Sequence, residues 1–163
     1  MKTDSKVKSK ILDDEQFWSI LHFDHWVIFQ SLNQLFIYDT KTSTFEVITP
    51  KSGIFKAYIT SKSIFYQTVS EGLFEIENGK GKLFSKNPFF IQNRIISIFK
   101  QDNSFLFLTQ YNGFYEYKNE IIQKWVTDSD PEINSSSIYC AQKNSDNSIV
   151  FGTVSNGIFI IDS

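Results

Sequence analysis

Few residues in this chain carry side chains able to do chemistry, and their spacing decides what that chemistry could be. His22 and His25 stand three apart and could offer two imidazoles to a metal. Cys140 is the single thiol. Carboxylates pair at Asp13 with Asp14 and at Asp128 with Asp130, and two carboxylates are the apparatus of glycoside hydrolysis. Asn78-Gly79-Lys80-Gly81 is glycine-rich, as phosphate-cradling loops are. None of these develops into a site. On a strand of period two the histidines point to opposite faces, His25 falls in a turn, and no third ligand recurs nearby. Cys140 is expected in the innermost strand of its sheet as a buried, inert thiol. The acidic pairs fall in a polar tail and a polar loop, where they favour solubility and turns. The glycine-rich tetrapeptide joins two strands with no helix after it, which makes it a turn. No nucleophile-elbow, P-loop or dinucleotide fingerprint is present. The expectation is a non-catalytic protein with no metal and no cofactor.

The elements that would position these residues are strands. Of 163 residues, 21 are Ile and 17 are Phe, against two alanines, Ala57 and Ala141. Branched and aromatic side chains suit a pleated surface, and the best helix former is nearly missing. A net charge of −2 gives no basic surface for nucleic acid. Lysines 2, 6, 8 and 10 read as a solvated tail or a polar edge. One cysteine excludes an internal disulfide framework, and no stretch approaches the roughly 20 apolar residues of a membrane span.

The chain repeats itself. LNQLFIYD from Leu32, SEGLFEIE from Ser70, YNGFYEYK from Tyr111 and SNGIFIID from Ser155 share one form, with Gln34, Gly72, Gly113 and Gly157 in register at spacings of 38, 41 and 44 residues. Periods near 40 with several strands each are the signature of propeller blades. The third unit parses as RIISIFKQ, SFLFLTQ, FYEYK and IIQKWV, with Asn112-Gly113 expected as a type I′ hairpin turn. The fold expected is an all-β propeller of about four blades of four antiparallel strands, as part of a larger propeller or, alternatively, as a closed four-bladed ring. Residues 15–50, 51–86, 87–127 and 128–163 form the blades. Residues 1–14 form a polar lead or, through Val7 to Leu12, an outer strand that completes the last blade, which otherwise has three.

The fourth unit, Ile133 to Asp162, resembles the two-component regulator propeller repeat, with Phe151-Gly152-Thr153 standing where that repeat usually has Trp-x-Gly-Thr, so the Trp is replaced. The first unit, FWSILHFDHWVIFQSLNQLFIYD, resembles the opening propeller region of Bacteroidetes-type regulators that carry a triple-tyrosine domain. The resemblance implies a ligand-sensing region on the periplasmic side of a membrane-anchored regulator. Triple-tyrosine, membrane and output domains would be its partners in the intact protein. A protein-interaction scaffold is the alternative, with a propeller glycan hydrolase or lyase behind it.

A meander also predicts where a ligand sits. Turns between second and third strands share one end of the sheets with the interblade loops, and the longer, more varied loops lie there. The most distinctive loop is NPFFIQNR, with Phe89, Phe90, Gln92, Asn93 and the only arginine, Arg94; Asn112 lies on a turn at the same end. Aromatics beside amides and a guanidinium could bind an oligosaccharide or a peptide. The competing reading has Phe89 and Phe90 packing between blades.

Overall fold

The computed structural model describes residues 5–162, with side chains from Val7 onward. Fifteen strands and three helical turns occur among them. The strands are β1 (Phe17–Phe23), β2 (Trp26–Ser31), β3 (Leu35–Asp39) and β4 (Thr44–Ile48) in the first blade, and β5 (Ile54–Ile59), β6 (Ile64–Thr68), β7 (Leu73–Glu77) and β8 (Lys80–Ser85) in the second. β9 (Ile95–Lys100), β10 (Phe105–Thr109), β11 (Phe114–Lys118) and β12 (Ile121–Trp125) form the third, and β13 (Ile138–Lys143), β14 (Ile149–Thr153) and β15 (Ile158–Ile161) the fourth. Each sheet is an antiparallel meander in chain order. The fold is a β-propeller. Blades one and two make one compact unit, blades three and four another.

Within each unit the blades pack face to face through alternate strand positions, which is why the sequence is rich in apolar residues at period two. In the first unit Ile28, Leu35 and Ile37 meet Ile54, Ala57, Ile64 and Tyr66. In the second, Leu106, Leu108 and Phe114 meet Ile138, Ile149 and Phe151, with Phe114 and Phe151 edge to face at 5.9 Å.

One irregularity recurs in every blade. Between first and second strands the register slips by a residue, at Phe17/Ser19, Ile54/Lys56, Ile95/Ser97 and Ile138/Cys140. A bulge increases local twist and re-aims the strand end. Phe17, Ile54, Ile95 and Ile138 are therefore equivalent positions, each at the head of its blade.

Three expectations need correction. The fourth blade has three strands among the described residues, and Val7–Leu12, expected as its outer strand, contains no strand: α1 (Ser5–Lys8) is a helical turn. Lys2 of the lysine series and the side chain of Lys6 lie outside the described residues, while Lys8 and Lys10 are exposed. The type I′ turns lie elsewhere. Positive φ at both central residues occurs at Asn78-Gly79 and Asn119-Glu120, between third and fourth strands, whereas at Asn112-Gly113 only the glycine has it. Accordingly Lys80 and Gly81 belong to β8, with Lys80 opposite Glu77. The NPFFIQNR loop holds one helical turn, α2 (Phe89–Gln92), and the next interblade loop another, α3 (Asp130–Asn134).

Candidate functional site

The turn between second and third strands is built by the same hydroxyl in all four blades. A Ser or Thr ends the second strand, accepts a backbone N–H inside the turn, and donates to the carbonyl oxygen at its far side. Thr109 Oγ1 accepts from Asn112 N at 3.0 Å and donates to Gly113 O at 2.9 Å. Thr68 does the same with Glu71 and Gly72, Thr153 with Asn156 and Gly157, and Ser31 with Gln34. The spacing Thr-x-x-x-Gly at the end of a second strand, as in Thr68–Gly72, Thr109–Gly113 and Thr153–Gly157, is the signal from which these hydroxyls could have been found in the sequence.

The residue before the glycine then ties the turn to the interblade loop entering its own blade. Glu71 Oε2 accepts from Lys51 N at 3.0 Å and Ser52 N at 3.1 Å. Asn112 Nδ2 donates to Asn93 Oδ1 at 2.8 Å, and Asn156 Nδ2 to Ser136 Oγ at 2.7 Å. These turns and loops therefore share one end of each blade. Within each of the second, third and fourth blades this end is thus a braced platform, its turn held to its entering loop by hydrogen bonds.

The six sequence-derived residues are treated differently by this platform. Phe90 is fully buried, its carbonyl oxygen accepts from Gln67 Nε2 at 2.6 Å, and its ring meets Phe89 edge to face at 5.2 Å. Phe90 is thus a core residue and leaves the candidate set, and Phe89 is half-buried against it. Asn93 and Asn112 are brought together, but to hold each other. Gln92 and Arg94 are exposed, and the Arg94 carbonyl accepts from Gln110 N at 2.9 Å.

The residue that emerges in their place is Ile91. In a helical turn successive side chains diverge by about 100°, so burial of Phe90 turns Ile91 outward. Ile91 lines an open cleft of about 490 Å³ in the first unit, with Phe74 and Leu83 as its other apolar walls and Ser70, Glu71 and Lys86 at its rim. The sequence pattern named the loop but not Ile91, because no pattern of residue types shows which side chain a helical turn presents outward.

Beneath this end of the second blade, Tyr66 stacks on Phe74 with ring centroids at 5.0 Å, and burial, with the Glu71 charge second, pushes its hydroxyl up to about 12. Its hydroxyl occupies the space that a Cβ at Gly81 would fill, at 2.1 Å. At the equivalent end of the third blade, Lys124 Nζ donates to Asn112 O, lies 3.4 Å from Asp130 Oδ2, and sits over the Tyr115 ring at 5.1 Å. Asp130 also accepts from Thr127 Oγ1 at 2.8 Å and from Thr127 N at 3.3 Å, which ties the first residue of α3 to the loop before it.

The remaining reactive residues are placed as follows. His22 lies within β1 and His25 in the following turn. His25 Nδ1 is 2.6 Å from Asp24 Oδ2, and Nε2 is 3.7 Å from Asp39 Oδ2. That hydrogen bond from His25 holds the Asp24 carboxyl below the usual range. Among the described residues no three His, Cys, Asp or Glu side chains gather to hold a metal. Cys140 lies in β13 as expected but is exposed, because nothing among the described residues covers that side of the fourth blade.

No protein-family model and no curated protein sequence matches the chain. Solved structures do. The chain is similar to BamB from Moraxella catarrhalis (9% identity, TM-score 0.65), covering 89% of this chain and 44% of that one. It is similar to the extracellular domain of BT3049, assigned to a hybrid two-component system of B. thetaiotaomicron, at 21% identity and TM-score 0.64 over 99% of this chain and 22% of that one. It is also similar to the computationally designed protein Ika4, at 11% identity and TM-score 0.62 over 91% and 92% of the two chains. The chain thus spans less than half the length of the two natural proteins. No helix among the described residues is long and apolar enough to cross a membrane. At these identities the likeness establishes the fold, and the conclusion is that this chain is a β-propeller whose structural neighbours include the extracellular region of a Bacteroides two-component-system protein.

Proposed function

We propose that this chain is the ligand-sensing, non-catalytic propeller region of a membrane-anchored signal-transduction or transcription regulator, acting on the extracytoplasmic side. The observation that carries the reading is the cleft at Phe74, Leu83 and Ile91, set on a platform whose loops are pinned by Thr68 and Glu71. An apolar floor with a few polar groups at the rim is the usual form of a small-ligand seat. Its one carboxylate, Glu71, is already occupied by backbone donors, which suits binding better than acid–base work. Two lines agree with the sensing role: the likeness to the BT3049 extracellular domain over 99% of the chain, and the regulator-type repeat in the fourth unit. Ligand seated in the cleft would bridge β7, β8 and α2 and shift the population of states passed to a following domain.

Isothermal titration against oligosaccharide and peptide panels tests this. Heat is expected for one class, and Ile91→Asp, at an exposed position, is expected to abolish it without loss of fold. Absence of heat with every class would sink the sensing reading; undiminished binding by Ile91→Asp would move it off the cleft. An interaction scaffold is the second reading, favoured by the exposed apolar side chains of the first and fourth blades, and it would show as capture of a protein with no response to small ligands.

A further inference from the structure

The third blade shows what a filled version of the cleft holds. Gly72 and Gly113 are equivalent turn residues, so Glu71 stands where Asn112 does and Phe74 where Tyr115 does. Leu83, paired with Phe74, then holds the place of Lys124, paired with Tyr115. In the third blade that place is taken by an ammonium group. Lys124 Nζ sits over the Tyr115 ring at 5.1 Å, donates to Asn112 O and lies 3.4 Å from Asp130 Oδ2. An aromatic face, a turn carbonyl and a carboxylate together compensate an alkylammonium ion for the water it gives up.

In the second blade the seat is kept and its cation is replaced. Phe74 supplies the ring, one face of which is taken by Tyr66 while the rest lines the cleft. The turn carrying Glu71 is held by Thr68 as Thr109 holds the turn carrying Asn112. Glu71 also supplies the carboxylate. Its Oε2 accepts from Lys51 N, Ser52 N and Ser52 Oγ, and among the described residues it has no basic side chain as partner. Its charge reaches the seat, where it is the second cause of the raised Tyr66 hydroxyl. With Leu83 in place of a lysine, the opening of about 490 Å³ has an apolar wall where the third blade has its ammonium. Lys86, exposed at the rim, is the only basic residue lining it.

We propose that this cleft takes a free α-amino acid with an apolar side chain, bound as its zwitterion. The ammonium group lies over Phe74 against Glu71, the carboxylate faces Lys86, and the side chain rests on Leu83 and Ile91. The proposal rests on the sensing reading above and names its ligand class. Charge complementarity selects that class: a neutral sugar leaves both Glu71 and Lys86 without a counterpart, and a simple acid or amine leaves one of them so.

Isothermal titration with leucine tests this, beside isocaproate, which lacks the ammonium, and isoamylamine, which lacks the carboxylate. Leucine is expected to bind more tightly than either by about tenfold or more, the worth of one charge-assisted hydrogen bond. Lys86→Gln is expected to weaken leucine by a similar factor and leave isoamylamine unchanged. Leu83→Lys, at a position 37% exposed, is expected to place its own ammonium over Phe74 as Lys124 does over Tyr115. It should abolish leucine binding with an unchanged circular dichroism spectrum, whereas Leu83→Met, apolar and of similar length, should retain it. Equal affinity for leucine and isocaproate, leucine binding that survives Leu83→Lys, or its loss in Leu83→Met as well would each overturn the proposal. Heat from an oligosaccharide or a longer peptide with none from leucine would overturn it and leave the sensing reading standing. No heat with any class would overturn both.

Discussion

The Thr109 hydroxyl donates to the Gly113 carbonyl at 2.9 Å across a turn whose glycine carries a positive φ of 67°. Both residues are buried, so the hydrogen bond has no water to replace it. The same pair exists as Thr153 and Gly157, at 3.0 Å, where both are accessible to solvent.

From this comparison Thr109→Val, which keeps the shape and removes the hydroxyl, is expected to cost about 1–2 kcal/mol: a buried hydrogen bond is lost and the Asn112 N–H loses its acceptor, while Gly113 O keeps the Thr109 N–H at 2.9 Å. Thr153→Val is expected to cost about 0.5 kcal/mol or less, since water can serve the same atoms. Urea titrations of the two variants, compared at equal m, check the difference. Equal losses would mean the turn hydroxyl acts through something other than burial.

Gly81 and Tyr66 form a second coupled pair. A methyl at Gly81 would lie 2.1 Å from the Tyr66 hydroxyl oxygen and 3.0 Å from the ring carbon that bears it. Gly81→Ala is expected to destabilise by roughly 1–3 kcal/mol through overpacking. Tyr66→Phe removes the nearer atom, so the double variant is expected to be more stable than the sum of the single effects predicts. A double-mutant cycle by chemical denaturation measures this; strict additivity would show that β8 yields instead of the ring.

Tyr66 also makes a pH prediction with a definite sign. Its hydroxyl is raised from 10.0 to about 12, by burial first and the Glu71 charge second. The folded state therefore holds its proton more tightly than the unfolded state does. This contribution is complete below about pH 10 and is lost as pH rises from there toward 12, in total about 2–3 kcal/mol. Tyr117, also raised by burial and the Glu120 charge, adds in the same direction. Denaturation between pH 9 and 11 should show a steeper fall for the natural chain than for Tyr66→Phe. Glu71→Gln should bring the tyrosinate absorbance step to lower pH.

The acid side has the opposite sign. Asp146 lies below the usual carboxylate range because the Ser148 hydroxyl and backbone N–H donate to it, and Asp24 because His25 does. Their stabilisation is present above the ordinary value of 3.8 and disappears as pH falls through the lowered folded values. Asp146→Asn is expected to flatten the stability profile below pH 4, and thermal unfolding at stepped pH reads it out.

What the amino-acid sequence determined alone is the local and periodic part. Alternating branched and aromatic residues demand pleated strands with two buried faces, and a repeat of about 40 residues demands that each sheet find its cover in the next. Those are consequences of side-chain period and of burial, which act within a few residues or within one repeat. The tertiary structure decided what depends on which groups meet. Phe90 turns inward and Ile91 outward because NPFFIQNR closes one helical turn to satisfy its backbone against Gln67, which no pattern of types announces. Asn112 is spent on Asn93, nineteen residues away, and Cys140 is exposed because nothing among the described residues covers its side of the blade. A residue's type fixes which bonds it is able to make; its availability for function is left to the neighbours that folding brings.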